Sequence, residues 1–358
     1  MQTRYAKDVF RHVSVTKSCR GEACLARRSP EPNTLTNEFL KSAVAFIVFN
    51  RPEETAAVFE SIRAARPSKL FVIADAPRLH VPGEDQLCQA TRAITEAVYW
   101  PCEVFRNYAD RNLGCAERVI SGLDWAFSFV DELIILEDDC LPVNSFFPFC
   151  QELLAKYRDD DRISMICGTN YLDVPDLQDS YYFSQALYIW GWATWKSKWA
   201  QYDKNITSWP QAKREGVLGV TVEEPRAVAY WTSIFDRMYH GLGPNTWDYQ
   251  WHYLCLVNNW LAVVPKTNLV SNIGFGPSAT HTVDRYAFLA NRATCDLASP
   301  LTHPQFILPH RDRDRRTQRE VFAPGIGVRL RRKLSKARAM LRSNRDNTSR
   351  LGSAASGL

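Results

Sequence analysis

The apolar positions of this chain fall first into short unbroken runs. Ala43 to Phe49, Leu70 to Ala74 and Leu133 to Leu136 are aliphatic or aromatic throughout, as strands covered on both faces of a sheet are. Cys102 to Arg106 is a weaker run of the same kind. Between the runs the spacing becomes helical. Ala56, Val58, Phe59 and Ile62 give one inner face, Glu84 to Val98 reads as a second helix, and Val119, Leu123, Ala126 and Phe127 give a third. Start signals agree with these segments. Asn50 or Arg51 can cap the first helix, Pro52 suits its first turn, and Glu53 and Glu54 suit its dipole. Trp100-Pro101 ends the second, and the turn Asn112-Leu113-Gly114 opens the third. Four strands alternating with three helices predict an α/β fold, a doubly wound, mostly parallel twisted sheet with right-handed crossovers.

Past residue 140 the pattern loosens. It predicts a helix over Phe146–Tyr157, a strand over Ile163–Cys167, helices near Ala227–His240 and Trp247–Asn258, and a late strand at Leu261–Pro265. A tract of tyrosine and tryptophan from Tyr188 to Trp199 lies between them, and Asn272 to Thr282 reads as a glycine-bearing loop. Residues 1–40 show no periodicity and read as a poorly ordered leader. The expected organisation is one domain in two halves, 41–168 and a helix- and aromatic-rich 169–308, followed by a basic, partly helical tail over 309–358.

Composition narrows the classes. The chain has 358 residues, 46% of them hydrophobic, enough for one large α/β domain. No apolar run reaches the length of about 18 residues needed to cross a bilayer, and the first residues lack a signal-peptide pattern. Ten cysteines without any C-x-x-C pair read as reduced and buried. The net charge is +5, but residues 311–345 hold thirteen Lys/Arg against three Asp/Glu, a local +10 that leaves −5 for the remainder. A mildly acidic body carries no footprint for nucleic acid.

Polar residues collect where the first four runs end: Arg51, Asp75, the Asn112–Gly114 turn, and Glu137-Asp138-Asp139. Singly they read as a cap, a turn aspartate, a helix-start glycine and an acidic turn. Together they fall at the strand edge where open α/β sheets bind ligands. A cation, an aspartate and a carboxylate cluster there suit a nucleotide diphosphate, with the base at Asp75, phosphates at Arg51, and Mn²⁺ or Mg²⁺ between diphosphate and carboxylate.

Phe49-Asn50-Arg51, Asp75, Asn112-Leu113-Gly114 and Leu136-Glu137-Asp138-Asp139 with Phe146-Phe147, in this order, resemble the nucleotide-sugar glycosyltransferases of GT-A (Rossmann-like) fold. Residues 42–285 are most similar to the inverting N-acetylglucosaminyltransferases of N-glycan processing and to bacterial glycosyltransferase 2-like proteins. The resemblance implies that Asp139 binds the divalent metal, that Asp138 and Glu137 contact the donor's ribose and sugar, that Asp75 reads the nucleotide base, that Asn112 and Gly114 belong to the nucleotide- and donor-binding residues, and that Arg51 lies near the diphosphate. It implies a UDP-linked donor and a glycan, lipid-linked sugar or protein as acceptor, in bacterial polysaccharide biosynthesis.

An inverting transfer also needs a base on the acceptor hydroxyl. Trp247-Asp248 resembles the Trp-Asp pair that supplies it, which implies Asp248 as the base, although Tyr249 stands where relatives carry a second acid. A first-turn acid on a core helix is the plainer reading of Asp248. Trp190 or Trp192 is expected beside the donor sugar, with core packing as the alternative. His281, in the glycine-bearing loop, is the expected contact to phosphate or metal. In the tail, Leu330, Leu334, Ala337 and Leu341 recur at helical spacing among basic residues. This pattern suits a cytoplasmic protein lying peripherally on an anionic inner leaflet, or a solvated tail. Two other functions share these features: a sugar-nucleotide pyrophosphorylase, whose glycine-rich first turn is absent here, and a catalytically silent carbohydrate-binding protein.

Overall fold

A computed structural model describes residues 39–172, 174–275 and 289–334. Strand β1 (Val44–Val48) runs into helix α1 (Pro52–Ala65), then β2 (Lys69–Ala74), α2 (Glu84–Ile94), β3 (Glu103–Tyr108), α3 (Cys115–Phe127) and β4 (Glu132–Glu137). The first-half alternation expected from the sequence is observed. In the first helix Thr55, rather than Ala56, completes the buried face with Val58, Phe59 and Ile62. Neither Asn50 nor Arg51 caps it through a side chain, because both are bonded elsewhere.

Beyond β4 come β5 (Cys140–Pro142), α4 (Phe146–Lys156), β6 (Ile163–Cys167), β7 (Tyr181–Ser184) and β8 (Trp192–Trp195). Five helices follow: α5 (Lys196–Trp199), α6 (Trp209–Arg214), α7 (Val217–Thr221), α8 (Pro225–Tyr239) and α9 (Asp248–Val257). The chain then forms β9 (Leu261–Pro265), β10 (Val270–Asn272), α10 (Arg311–Thr317) and a π-helical turn at Gln318–Phe322.

Eight strands make one sheet in the order β3-β2-β1-β4-β8-β6-β9-β7. The pairs β3–β2, β2–β1 and β1–β4 are parallel, as expected, whereas β8 lies antiparallel to both β4 and β6, and β7 antiparallel to β9. A third of the tryptophan tract, Trp192–Trp195, is thus a central strand, which its period could not show because β8 is buried on both faces. Strand order reverses between the parallel neighbours β1 and β4, the position at which doubly wound sheets open a crevice.

Alternate residues of β1 feed the two cores. Val44, Phe46 and Val48 pack with Val58, Phe59 and Leu153 on one side, and Ala45 and Ile47 with Val119, Leu123 and Trp251 on the other. A third apolar cluster, around Trp209, Trp231 and Phe235, binds α6 to α9 together.

The first residues of the basic, partly helical tail expected from 309 onward pack into the body. Arg313, Asp314, Thr317 and Gln318 are buried. Asp314 accepts hydrogen bonds from the Ser184 hydroxyl (2.5 Å) and the Gln185 amide (3.1 Å). Arg313 lies over the Tyr182 ring. A high arginine content there reflects charges paired across the body, such as Arg311 and Arg315 with Glu223 and Arg319 with Glu224.

Candidate functional site

A cavity of about 800 Å³ opens at the carboxyl ends of β1 and β4. β1 delivers Phe49, Asn50 and Arg51, and β4, in register through Ile47 and Glu137, delivers Glu137, Asp138 and Asp139. Arg51 Nη1 lies 2.6 Å from Asp139 Oδ2 and 3.2 Å from Asp138 Oδ1. The Phe49 amide donates to Asp138 Oδ2 at 3.0 Å. Burial works against the charge on Arg51, but Asp138 and Asp139 outweigh it and hold the guanidinium above its usual value. Glu137 is pushed well up, first by burial, then by Asp139, Asp138 and Asp248. Burial also raises Asp138, against the pull of Arg51. One guanidinium therefore does not balance this cluster.

Asp75 ends β2, where the sequence places it, but its carboxylate is committed. It accepts from the amides of Ala76 (2.9 Å), Leu113 (2.9 Å) and Gly114 (2.9 Å), and from the Asn112 side chain (3.1 Å). A carboxylate offers about four acceptor directions, so Asp75 fastens the 112–114 turn instead of presenting acceptors to a base. The turn itself is specific for glycine. Gly114 has φ +79°, and a Cβ there would lie 2.5 Å from Asn245 Nδ2. Asn245 Oδ1 accepts from the Ala116 amide (3.3 Å), so the same residue joins the start of α3 to the start of α9.

Asp248 is the first residue of α9 and lines the cavity. Thr246 Oγ1 donates to Asp248 Oδ1. Cys115 lines the same cavity, and its thiol is pushed up to about 12 by burial and then by Glu137, Asp248 and Asp139. The structure thus brings Arg51, Glu137, Asp139 and Asp248 to one cavity from three separate parts of the sequence.

The tryptophans separate by position. Trp190 lines the cavity, edge-on to Tyr171 and Phe275. Trp247 lines it too, although only 2% of it is exposed. Trp192 lies behind, stacked on Trp247 at 5.3 Å and packed on Trp199 and Trp251, so its place is in the core. Core packing, the alternative stated for it, is what the structure shows. Asn272 pairs with Cys140 across the β10–β5 ribbon, and the Ile273 amide donates to the Asp139 carbonyl (2.8 Å). The start of the glycine-bearing loop is therefore fixed against Asp139. His281 lies outside the described residues.

Several lining residues escaped the sequence reading. Arg78, three residues past Asp75, is bonded to Glu84 through its amide (2.6 Å) and guanidinium (2.5 Å), and lies over the Phe49 ring. Glu84 is 1% exposed, and its carboxyl is held below the usual range chiefly by Arg78. Its nearness to Asp75 was the one available signal. Arg118, His252 and Phe322 carried none, because each depends on helix packing far along the chain. His252 stacks on Trp231 (4.1 Å), and burial lowers its pKa to about 3.

Among the described residues no group of three or more His, Cys, Asp or Glu forms a ready metal cage. The donor set still suits a hard cation. Five carboxylates line the cavity, Asp75, Glu137, Asp138, Asp139 and Asp248, against the guanidiniums of Arg51, Arg78 and Arg118. Ions such as Mg²⁺ are commonly held by one or two carboxylates completed by substrate phosphates. Close packing also shapes the place: a Cβ on Gly274 would lie 2.3 Å from Asp139 Oδ2.

No protein-family model matches the chain, and no curated protein matches it. Among solved structures it is similar to a mannosyltransferase from Pyrobaculum calidifontis in complex with GDP-Man and Mn²⁺, at 11% identity over 62% of this chain and 70% of that one, TM-score 0.33. It is also similar to a UDP-glucose pyrophosphorylase complexed with UDP-glucose (13% identity, 40% and 62% covered, TM-score 0.23). A UTP-bound UGPase from Acinetobacter baumannii gives 9% identity, 63% and 86% covered, and TM-score 0.29. The chemistry of the site rests on its own residues.

Proposed function

We propose that this chain is a metal-dependent, inverting glycosyltransferase that moves a sugar from a nucleotide-sugar, UDP-linked by preference, to a hydroxyl of a glycan, lipid-linked sugar or protein. One observation carries the reading: the acids at the end of β4 and Asp248 at the start of α9 share one cavity at the switch point of the sheet. A divalent cation held by Asp139 and the donor's diphosphate would stabilise the negative charge of the departing nucleoside diphosphate.

The chain's own residues supply the rest. Asp138 and Glu137 contact the donor's ribose and sugar, and the turn fastened by Asp75 shapes the base's place. Asp248 accepts the proton of the acceptor hydroxyl as its oxygen bonds to the anomeric carbon and the bond to the diphosphate oxygen breaks. Arg51 keeps the acid cluster in position and lies where it can turn toward the diphosphate. Trp190, edge-on to Phe275, offers an apolar wall to the sugar.

The test is a thermal-shift screen of nucleotide-sugars with and without Mn²⁺, on wild type and Asp139→Ala, followed by transfer assays of Asp248→Asn. Stabilisation that requires both Mn²⁺ and Asp139 is expected, and Asp248→Asn should bind donor yet transfer at least a hundredfold more slowly. Equal response by Asp139→Ala would remove the metal assignment, and normal transfer by Asp248→Asn would remove the base.

A further inference from the structure

We infer that the helical segment at residues 326–334 is a docking surface for an anionic lipid bilayer. Ile326, Leu330 and Leu334 are 76%, 55% and 60% exposed. At roughly 100° per residue they fall on one stripe of the helix. That orientation is the reverse of an ordinary surface helix, which turns its aliphatic stripe toward the core. Here the half-buried positions are Val328 and Arg332, and Arg332 donates to the Glu320 carbonyl, so the helix rests on the body by its other side.

Cations flank the outward stripe. By the same helical geometry Arg331 lies on one border, and Lys333 and Arg329 on the other. Arg331 and Lys333 have no acidic partner among the described residues, in contrast to Arg311, Arg315 and Arg319 just before them, which are paired with Glu223 and Glu224. An acidic protein would meet the charges and leave the leucines in water. A bilayer with anionic headgroups meets both, since the aliphatic stripe enters the acyl boundary while the cations stay among the phosphates.

The segment is also tied to the cavity. Only Ala323, Pro324 and Gly325 separate it from Phe322, a residue of the cavity wall. Gly325 packs so closely on Arg226 of α8 that a Cβ would lie 2.6 Å from its Nη1, and the same helix carries the lining residues Tyr230 and Trp231. Docking would therefore hold this wall of the cavity near the headgroups. If the proposed transfer is correct, a lipid-anchored hydroxyl is the favoured acceptor; the docking itself does not depend on that reading.

The experiment is flotation of the full chain, without nucleotide or metal, on vesicles of phosphatidylcholine alone or with phosphatidylglycerol. Wild type is expected to float only with phosphatidylglycerol, and less at high salt. Leu330→Asp/Leu334→Asp and Arg331→Glu/Lys333→Glu should each weaken binding about tenfold or more. All four side chains lie on the outer face, so circular dichroism should be unchanged in both variants. Failure of wild type to float, undiminished binding by the leucine variant, or undiminished binding by the charge variant would each overturn the inference. None of these outcomes bears on donor binding or transfer.

Discussion

Arg51 Nη1 and Asp139 Oδ2 meet at 2.6 Å, the shorter of the two ion pairs through which Arg51 ties the carboxyl end of β1 to that of β4. Both side chains are nearly buried, at 13% and 12% exposure. Removing one member of a buried pair costs more than the pair contributes, because the other charge is left without a partner. Arg51→Met is therefore expected to destabilise the fold by about 3–5 kcal/mol. Denaturant melts with and without Mn²⁺ check it. If Asp139 is a metal ligand, Mn²⁺ should recover part of the loss in the variant and do less for wild type.

Gly274 tests the same carboxylate sterically. Its amide donates to Asn272 Oδ1 (2.9 Å), and an added Cβ would lie 2.3 Å from Asp139 Oδ2. Gly274→Ala should displace Asp139 at a stability cost of about 1–3 kcal/mol, while Mn²⁺-dependent nucleotide binding falls at least tenfold. Calorimetric titration beside a melt separates the two effects. Wild-type affinity in the variant would show that the position of Asp139 is unimportant for binding.

Asp75→Asn turns one acceptor oxygen into a donor facing backbone amides. An unsatisfied buried N–H costs about 1–3 kcal/mol. The loss should be local, with faster hydrogen exchange at the Leu113 and Gly114 amides, both of which donate to Asp75. Unchanged exchange there would mean that the turn holds its shape without the carboxylate.

His252 gives a pH signature. Burial lowers its pKa to about 3, below the ordinary value near 6.5, so the folded state disfavours the protonated ring. Its contribution to stability is fully present above pH 6.5 and is lost as pH falls toward 3. Between pH 7 and pH 5 wild type should lose roughly tenfold or more in folding constant relative to His252→Phe. Parallel melts of the two proteins at both pH values measure that difference, and equal pH dependence would place the imidazole in water.

Much of the first half was legible because each residue there is constrained locally. Unbroken aliphatic runs ended in polar turns, and helix starts carried proline, glycine or acids, so β1 to β4 and the meeting of Arg51 with Glu137-Asp138-Asp139 at one edge followed from short-range pattern. The tryptophan tract was less readable, since Trp190 and Trp192 have the same chemistry two residues apart. Only neighbours distant in sequence, Phe275 for one and Trp247 and Trp251 for the other, place the first on the cavity and the second in the core.

Charge misled for a related reason. The arginines from 311 suggested a solvated tail, but Glu223 and Glu224, far earlier in the chain, pair with several of them, and Val321 and Phe322 turn out to line the cavity. The sequence by itself determined the parallel half of the sheet and the cluster of acids at its edge, because hydrophobic period and turn chemistry are local. Which aspartate is committed to fastening a turn, which tryptophan lines the cavity and where the C-terminal arginines go were decided by tertiary structure alone, because hydrogen-bond saturation, burial and charge pairing depend on partners that the chain supplies from far away.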